Sequence, residues 1–236
     1  MKPIFEELDY QITELGELVL RRRSVLAKPG AVVYEVRLGG DFLMSSMVRG
    51  SELALADLGL TAWGAAPARV LMGGLGLGYS AHAALAHGCV EALEVVEFLE
   101  PVLAWHRRGL VPLGPALCGD SRVRLTQGDF FERVLSVDPP GGDERWHVIL
   151  VDIDHSPRHL LSAGHGRVYS ESGLLRIAAR LEPGGVFALW SCEGPDEEFL
   201  ARLAPAFRDA EAHPIEFYNP MIDEDEVNTI YVARRG

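Results

Sequence analysis

From Arg69 onward, short apolar runs of strand length alternate with runs of helical spacing. No other feature limits the fold as tightly. RVLMGG (69–74), ALEVVEF (92–98), RVRLTQGD (122–129), WHVILVDID (146–154) and VFALWS (186–191) read as strands. YSAHAALAHG (79–88), EPVLAWHRRGL (100–110), ESGLLRIAARLEPGG (171–185) and DEEFLARLAPAF (196–207) read as helices. Pro101 sits in a first turn, where its missing N–H costs nothing, and Pro183-Gly184-Gly185 is expected to end its helix. EAHPIEFYN (211–219) and VNTIYVAR (227–234) are spaced to pair antiparallel. Such alternation predicts an α/β fold, a doubly wound and mostly parallel sheet closed by a C-terminal antiparallel strand pair.

Residues 1–66 have a different pattern and are read as a small β-rich unit with one helix, followed by a Rossmann-like domain over 67–236. GELVLRRRSVL and AVVYEVRLGG-DFLMSS suggest strands joined at Pro29-Gly30 and Gly39-Gly40. GSELALADLGLTAW (50–63) is helical, with Ser51 as the expected N-cap. The boundary falls at Ala65-Ala66-Pro67.

Charge and cysteine usage exclude several classes. The net charge is −12, and the sole basic cluster, Arg21-Arg22-Arg23, is read as an exposed strand or strand edge, so no nucleic-acid partner is expected. Cys89, Cys118 and Cys192 lack metal-ligand spacing and are expected to be reduced. No run is long and apolar enough for a membrane span, and the opening residues carry acids where a secretion signal needs a basic start. A cytoplasmic location and no membrane partner are expected.

In wound sheets, ligands bind beyond the carboxyl ends of the strands. The first strand here runs into MGGLGLGYSAH, with Gly73, Gly74, Gly76 and Gly78 available for a tight turn and close backbone approach. The second ends at Glu97, a carboxylate suited to both hydroxyls of a ribose. The third ends at Asp129, which could accept from an adenine amine with Phe130 or Phe131 against the base, or could cap the next helix. The fourth breaks from Ile149-Leu150-Val151 into Asp152, Asp154 and His155, and Pro157 is expected to stop the ladder. Asp152 and His155 suit acid–base work; as an alternative, Asp152, Asp154 and His155 could ligate a divalent metal, since two-residue spacing on an extended strand would place Asp152 and Asp154 on one side. Acid–base use is preferred, with no metal assigned. Residues 154–170 read as a lid carrying His159, His165 and Tyr169, with pairing to Arg158 as the plainer reading of the nearby polar groups. The glycine spacing stops short of the full dinucleotide fingerprint, leaving a nicotinamide enzyme open.

VLMGGLGLG, VVEFLEPV, RVRLTQGDFF, WHVILVDIDHSP and LEPGGVFAL, in that order, resemble the class I S-adenosylmethionine-dependent methyltransferase fold and, within it, the spermidine synthase family. The resemblance covers roughly residues 31 to 236. It implies S-adenosylmethionine or decarboxylated S-adenosylmethionine as donor substrate, a small-molecule acceptor and a homodimer. It assigns proton acceptance to Asp152. His155 falls at the second acid of the family's fourth-strand motif, with Asp154 adjacent, and is the imidazole suited to general base work. Leu77 falls where the Gly-rich turn of the family has an acid. SELALAD (51–57) falls on the family's DEF-x-Y-HE segment, keeping Glu52 but placing Leu55 at the tyrosine and Ala56 at the histidine. Leu77, Asp154 and Glu52 are therefore the expected acceptor contacts. An apolar Leu77 beside a doubly charged amine would leave charge desolvated at a cost of roughly several kcal/mol. Methyl transfer to a small acceptor is the preferred expectation, with polyamine aminopropyl transfer or a non-catalytic adenosyl-binding module as alternatives.

Overall fold

A computed structural model describes residues 4–25, 30–136 and 144–236. The chain begins with an antiparallel sheet of four strands in sequential order: β1 (Phe5–Thr13), β2 (Gly16–Ser24), β3 (Val32–Leu38) and β4 (Asp41–Ser45). Leu18 and Leu20 on β2 alternate into the core, as period-two patterning requires. β2 is an interior strand, which corrects the reading of its arginines as a strand edge. Arg21 and Arg23 both bind Glu35 of β3, at 2.7 and 2.6 Å, and Arg22 binds Glu6 of β1 at 2.8 Å. Cross-strand acids thus take up all three cations. β1 escaped the sequence reading: Leu8, Tyr10 and Ile12 alternate along it, but its acids break the run and most of its residues face solvent. The Gly39-Gly40 turn is present, with φ of 60° and 93°. Pro29 of the other expected turn lies outside the described residues.

α1 (Gly50–Trp63) follows, and it lies on the second sheet. A Cβ on Gly59 would stand 2.8 Å from the Leu150 side chain and 3.3 Å from that of Ala188. The boundary expected at residue 66 therefore falls after a helix already packed on the wound part. Ser51 does not cap α1, because Arg49 holds the N-cap position and Ser51 is buried within the first turn.

The second sheet comprises β5 (Ala68–Gly73), β6 (Val90–Glu97), β7 (Val123–Gln127), β8 (Trp146–Val151), β9 (Leu181–Ser191), β10 (Arg208–Asn219) and β11 (Glu224–Arg234). Its order is β10-β11-β9-β8-β5-β6-β7, parallel from β9 to β7 and antiparallel across β9, β11 and β10. The chain winds one way from β5 to β7 and the other way from β8 to β9, so the switch point lies between β5 and β8. The intervening helices are α2 (Tyr79–Ala86), α3 (Glu100–Arg107), α4 (Gly114–Gly119), α5 (Phe130–Leu135), α6 (Glu171–Ala179) and α7 (Glu197–Leu203). One apolar layer joins α1, α2 and α3 to the N-terminal sheet, and a second lies under α5, α6 and α7. The expected C-terminal strand pair is present.

Several elements differ from the sequence reading. α6 stops at Ala179, and LEPGG opens β9, where pairing with β8 slips between Trp146 and Val148 and Gly184 takes φ of 75°. α4 lacked the apolar periodicity that would have signalled it. β8 ends at Val151, six residues before Pro157, so the proline does not terminate the ladder. Among the described residues no helix is long and apolar enough to cross a membrane, and Cys89, Cys118 and Cys192 are free thiols.

Candidate active site

A cavity of about 730 Å³ opens at the carboxyl edge of the parallel strands, beside the switch point. Its floor is the turn after β5. Gly73 lies against the Phe130 ring, 2.6 Å from where a Cβ would stand. At Gly74, with φ of 88°, a Cβ would fall 2.0 Å from the Asp152 carbonyl oxygen. The backbones of the two turns therefore meet at a distance only glycine permits. Gly76, Leu77 and Gly78 complete the floor, with Leu77 buried and apolar on the cavity wall. Beneath the turn, buried His106 donates from Nε2 to the Gly76 carbonyl at 2.9 Å, and burial holds its pKa below the ordinary value.

Glu97, at the end of β6, lines the cavity while bracing two turns. Its Oε2 accepts from the Leu75 N–H at 2.9 Å and its Oε1 from the Leu99 N–H at 2.8 Å. Burial raises its pKa against the lowering effect of those bonds. Asp129 does what its alternative reading held: Oδ1 caps α5 by accepting from the Phe131 and Glu132 N–H groups at 2.8 and 3.0 Å. It lines the cavity as well, together with Phe130 and Phe131.

Asp152 follows β8 directly. Its N–H continues the ladder by donating to the Gly73 carbonyl at 2.9 Å, and its Oδ2 accepts from the Ser80 hydroxyl at 2.6 Å. Burial pushes its carboxyl up to about 6, opposed by the bond from Ser80. Glu52, in the first turn of α1, is pushed up to about 7 by burial and then by the charge of Asp152. Two carboxyls thus titrate close to neutrality in one cavity, a condition suited to proton exchange. His155 also lines the cavity, and its carbonyl accepts from the Cys192 N–H at 2.7 Å.

Asp154 is the site residue the fold places elsewhere. β8 has ended by Val151, so strand alternation no longer applies, and Asp154 turns away from the cavity. Buried at 2% exposure, it accepts from the Leu161 N–H at 2.7 Å, from the Tyr169 hydroxyl at 2.8 Å and pairs with His165 at 2.8 Å. It organises the covering segment, which includes a 3₁₀ turn over Ala163–Arg167. The metal reading, which needed Asp154 beside Asp152, loses that ligand. Among the described residues no cluster of three or more His, Cys, Asp or Glu is placed to hold a metal ion. Arg158 binds Asp196 and Glu198 rather than Asp154, and His159 pairs with Glu193.

Several lining residues carried no sequence signal. The inner face of the β10–β11 hairpin supplies Phe217, Asn219, Glu226 and Asn228, and the end of β9 supplies Trp190. Their alternation marked strands, but nothing local placed those strands over the first turn of α1.

The seven-stranded sheet, parallel from β9 to β7 and closed by the antiparallel β11 and β10, has the class I methyltransferase-like fold. With the N-terminal sheet included, the fold is like that of solved spermidine synthases. A spermidine synthase in complex with the transition-state analogue AdoDATO superposes with a TM-score of 0.74 at 18% identity, covering 98% of this chain and 74% of that one. The spermidine synthase from Thermotoga maritima gives 0.73 at 18% identity over 98% and 73%. The N-methyltransferase NodS from Bradyrhizobium japonicum gives 0.54 at 16% identity over 79% and 95%. At these identities the likeness is one of fold. The sequence matches no protein-family model and no curated protein sequence.

Proposed function

We propose that this protein is a transferase that uses an adenosyl sulfonium, S-adenosylmethionine or its decarboxylated form, and passes a group to a small acceptor. The observation that carries the reading is Asp152: a carboxyl pushed up to about 6 stands at the end of β8, in one cavity with the glycine turn and Glu97. The cavity fits the donor in kind. The glycine turn leaves its backbone open to close approach, Glu97 suits the ribose hydroxyls, and Phe130 and Asp129 suit the base. A bound sulfonium supplies an activated carbon and leaves as a neutral thioether, taking the electron pair of the broken C–S bond. The protein's own work is alignment and proton handling. Asp152 accepts the acceptor's proton as the new bond forms, with Ser80 holding the carboxylate in place, and Glu52 and His155 lie in the same cavity to share that proton.

Leu77 favours methyl transfer, because this apolar wall would leave a second ammonium group unpaired. One observation favours aminopropyl transfer instead: Glu52, Asp152 and Glu226 all line the cavity and would suit an amine. Calorimetric titration with each donor separates the two. Tighter binding of S-adenosylmethionine, with donor affinity kept in Asp152→Asn and turnover lost by about 10²-fold or more, is expected. Preference for the decarboxylated donor with turnover on a polyamine would reverse the assignment. Failure of both donors to bind would remove it.

A further inference from the structure

The first turn of α1 carries a hydrogen-bond arrangement that the donor reading does not require. Ser51 is buried, and two donors converge on its hydroxyl: the Trp190 Nε1–H at 2.9 Å and the Asn228 Nδ2–H at 2.7 Å. A hydroxyl has two acceptor positions and one proton. Both acceptor positions are taken, so the proton has one remaining destination, Glu52 Oε2, 3.2 Å away. Oε2 is thereby tied to the Ser51 hydroxyl, and this bond, with one from the backbone N–H of Glu52 itself, favours the ionised carboxylate. Glu52 lies on the cavity wall with Asp152, while Trp190 comes from β9 and Asn228 from β11.

We propose that Ser51 is a positioning residue whose saturated hydroxyl holds the Glu52 carboxyl by Oε2 and so orients it for the acceptor, tying that carboxyl to β9 and the C-terminal hairpin. The proposal rests on the reading of this cavity as the transfer site. It makes Glu52 a directed group rather than a freely rotating acid, and it gives Trp190 and Asn228 a role that contact with a ligand alone would not explain. The charged groups that act on Glu52 are Asp152, beyond β8, and Arg49, before α1. His155, Glu14 and Glu226 line the same cavity from the β8 turn, the β1–β2 turn and β11.

The test uses the full chain and no ligand. The indole N–H signal of Trp190, assigned with Trp190→Phe, is followed by nitrogen–proton correlation spectroscopy across about pH 4 to 9, the range spanning an ordinary carboxyl and a strongly raised one. The carboxyl carbon signal of Glu52 is followed beside it. In the unaltered protein the indole signal is expected to shift with the Glu52 titration, whose midpoint lies at about 7. Glu52→Gln should abolish that shift. Ser51→Ala should uncouple the indole signal and raise the Glu52 midpoint, since the bond from Ser51 is one of the influences that lower it. Ser51→Thr, which keeps the hydroxyl, should preserve both. An indole signal that titrates unchanged in Glu52→Gln, or a Glu52 midpoint unmoved by loss of the Ser51 hydroxyl, would overturn the proposal. If Ser51→Ala does not fold, comparing the unaltered protein with Glu52→Gln decides the matter. Titration of the same samples with S-adenosylmethionine reads the donor site separately, so a donor that fails to bind would remove the proposed function without mimicking either result.

Discussion

At the scale of single residues, the two cavity carboxyls give the protein a definite dependence on pH. Glu52 and Asp152 titrate near 7 and 6 in the folded chain, above their ordinary values of 4.5 and 3.8. Between about pH 4 and 7 the folded state therefore holds more protons than the unfolded one. The contribution of these groups is fully present at the acid end and is lost as pH rises through that window. Raising a carboxyl's midpoint by one pH unit on folding costs about 1.4 kcal/mol once the group is ionised, so Glu52→Gln is expected to stabilise the protein by about 3 kcal/mol at pH 8 and by little at pH 4. Urea denaturation at the two pH values checks this. An equal effect at both would show that Glu52 is not held protonated. Because the two groups interact, the gains from Glu52→Gln and Asp152→Asn should fall short of additive. Asp152 was legible in the sequence because an acid ending a doubly buried strand has little alternative but the sheet edge. Asp154, two residues on, was misplaced because the period-two rule holds only while the backbone stays extended. Ser80 and Ser51 gave no local sign of their roles, which depend on partners as far as 72 and 177 residues away.

At the scale of elements, the two turns that bound the cavity are locked to each other. Gly74→Ala would place a methyl against the Asp152 carbonyl and demand φ of 88° from an alanine. The expected outcome is a loss of about 3 kcal/mol or more of stability, with donor binding lost as well, measured by denaturation and calorimetry. The covering segment depends in the same way on Asp154. Asp154→Ala leaves the Leu161 N–H and the Tyr169 hydroxyl without their acceptor, a loss of about 2 to 4 kcal/mol. Cleavage by a protease within residues 158–167 should accelerate in this variant before global unfolding does. If the segment stays equally protected, Asp154 is not its anchor. The five parallel strands and the final antiparallel pair were readable because apolar runs and helical spacing are local. α4, the true end of α6 and the placement of α1 were not, since each is set by what it packs against.

At the scale of the whole molecule, the N-terminal sheet acts as a wall of the cavity rather than an appendage. Met44 and Phe42 from β4, Val36 and Leu38 from β3, and Glu14 and Leu15 from the β1–β2 turn all line it. The buried Trp105 of α3 donates to Asp9 of β1 at 2.7 Å and fastens the two parts together. A donor bound between them should stabilise the folded chain as a unit. At about a hundred times its Kd the gain is about 2.7 kcal/mol. For a chain of this length that corresponds to a rise in Tm of about 5 to 10 °C. Calorimetric scans with and without S-adenosylmethionine measure it, and an unchanged Tm at saturation would count against binding in this cavity.

By itself the sequence determined the wound sheet, the glycine turn and the row of strand-end acids. Apolar periodicity acts within a few residues, and the glycines of the turn meet a demand made by its own backbone. The tertiary structure alone decided which acids meet. Glu52 from α1 faces the same cavity as Asp152, the C-terminal hairpin is joined to α1 through Ser51, and Asp154 is drawn away to hold the covering segment. Those outcomes turn on side chains far apart in the chain competing for the same few hydrogen-bond partners, and no local pattern records that competition.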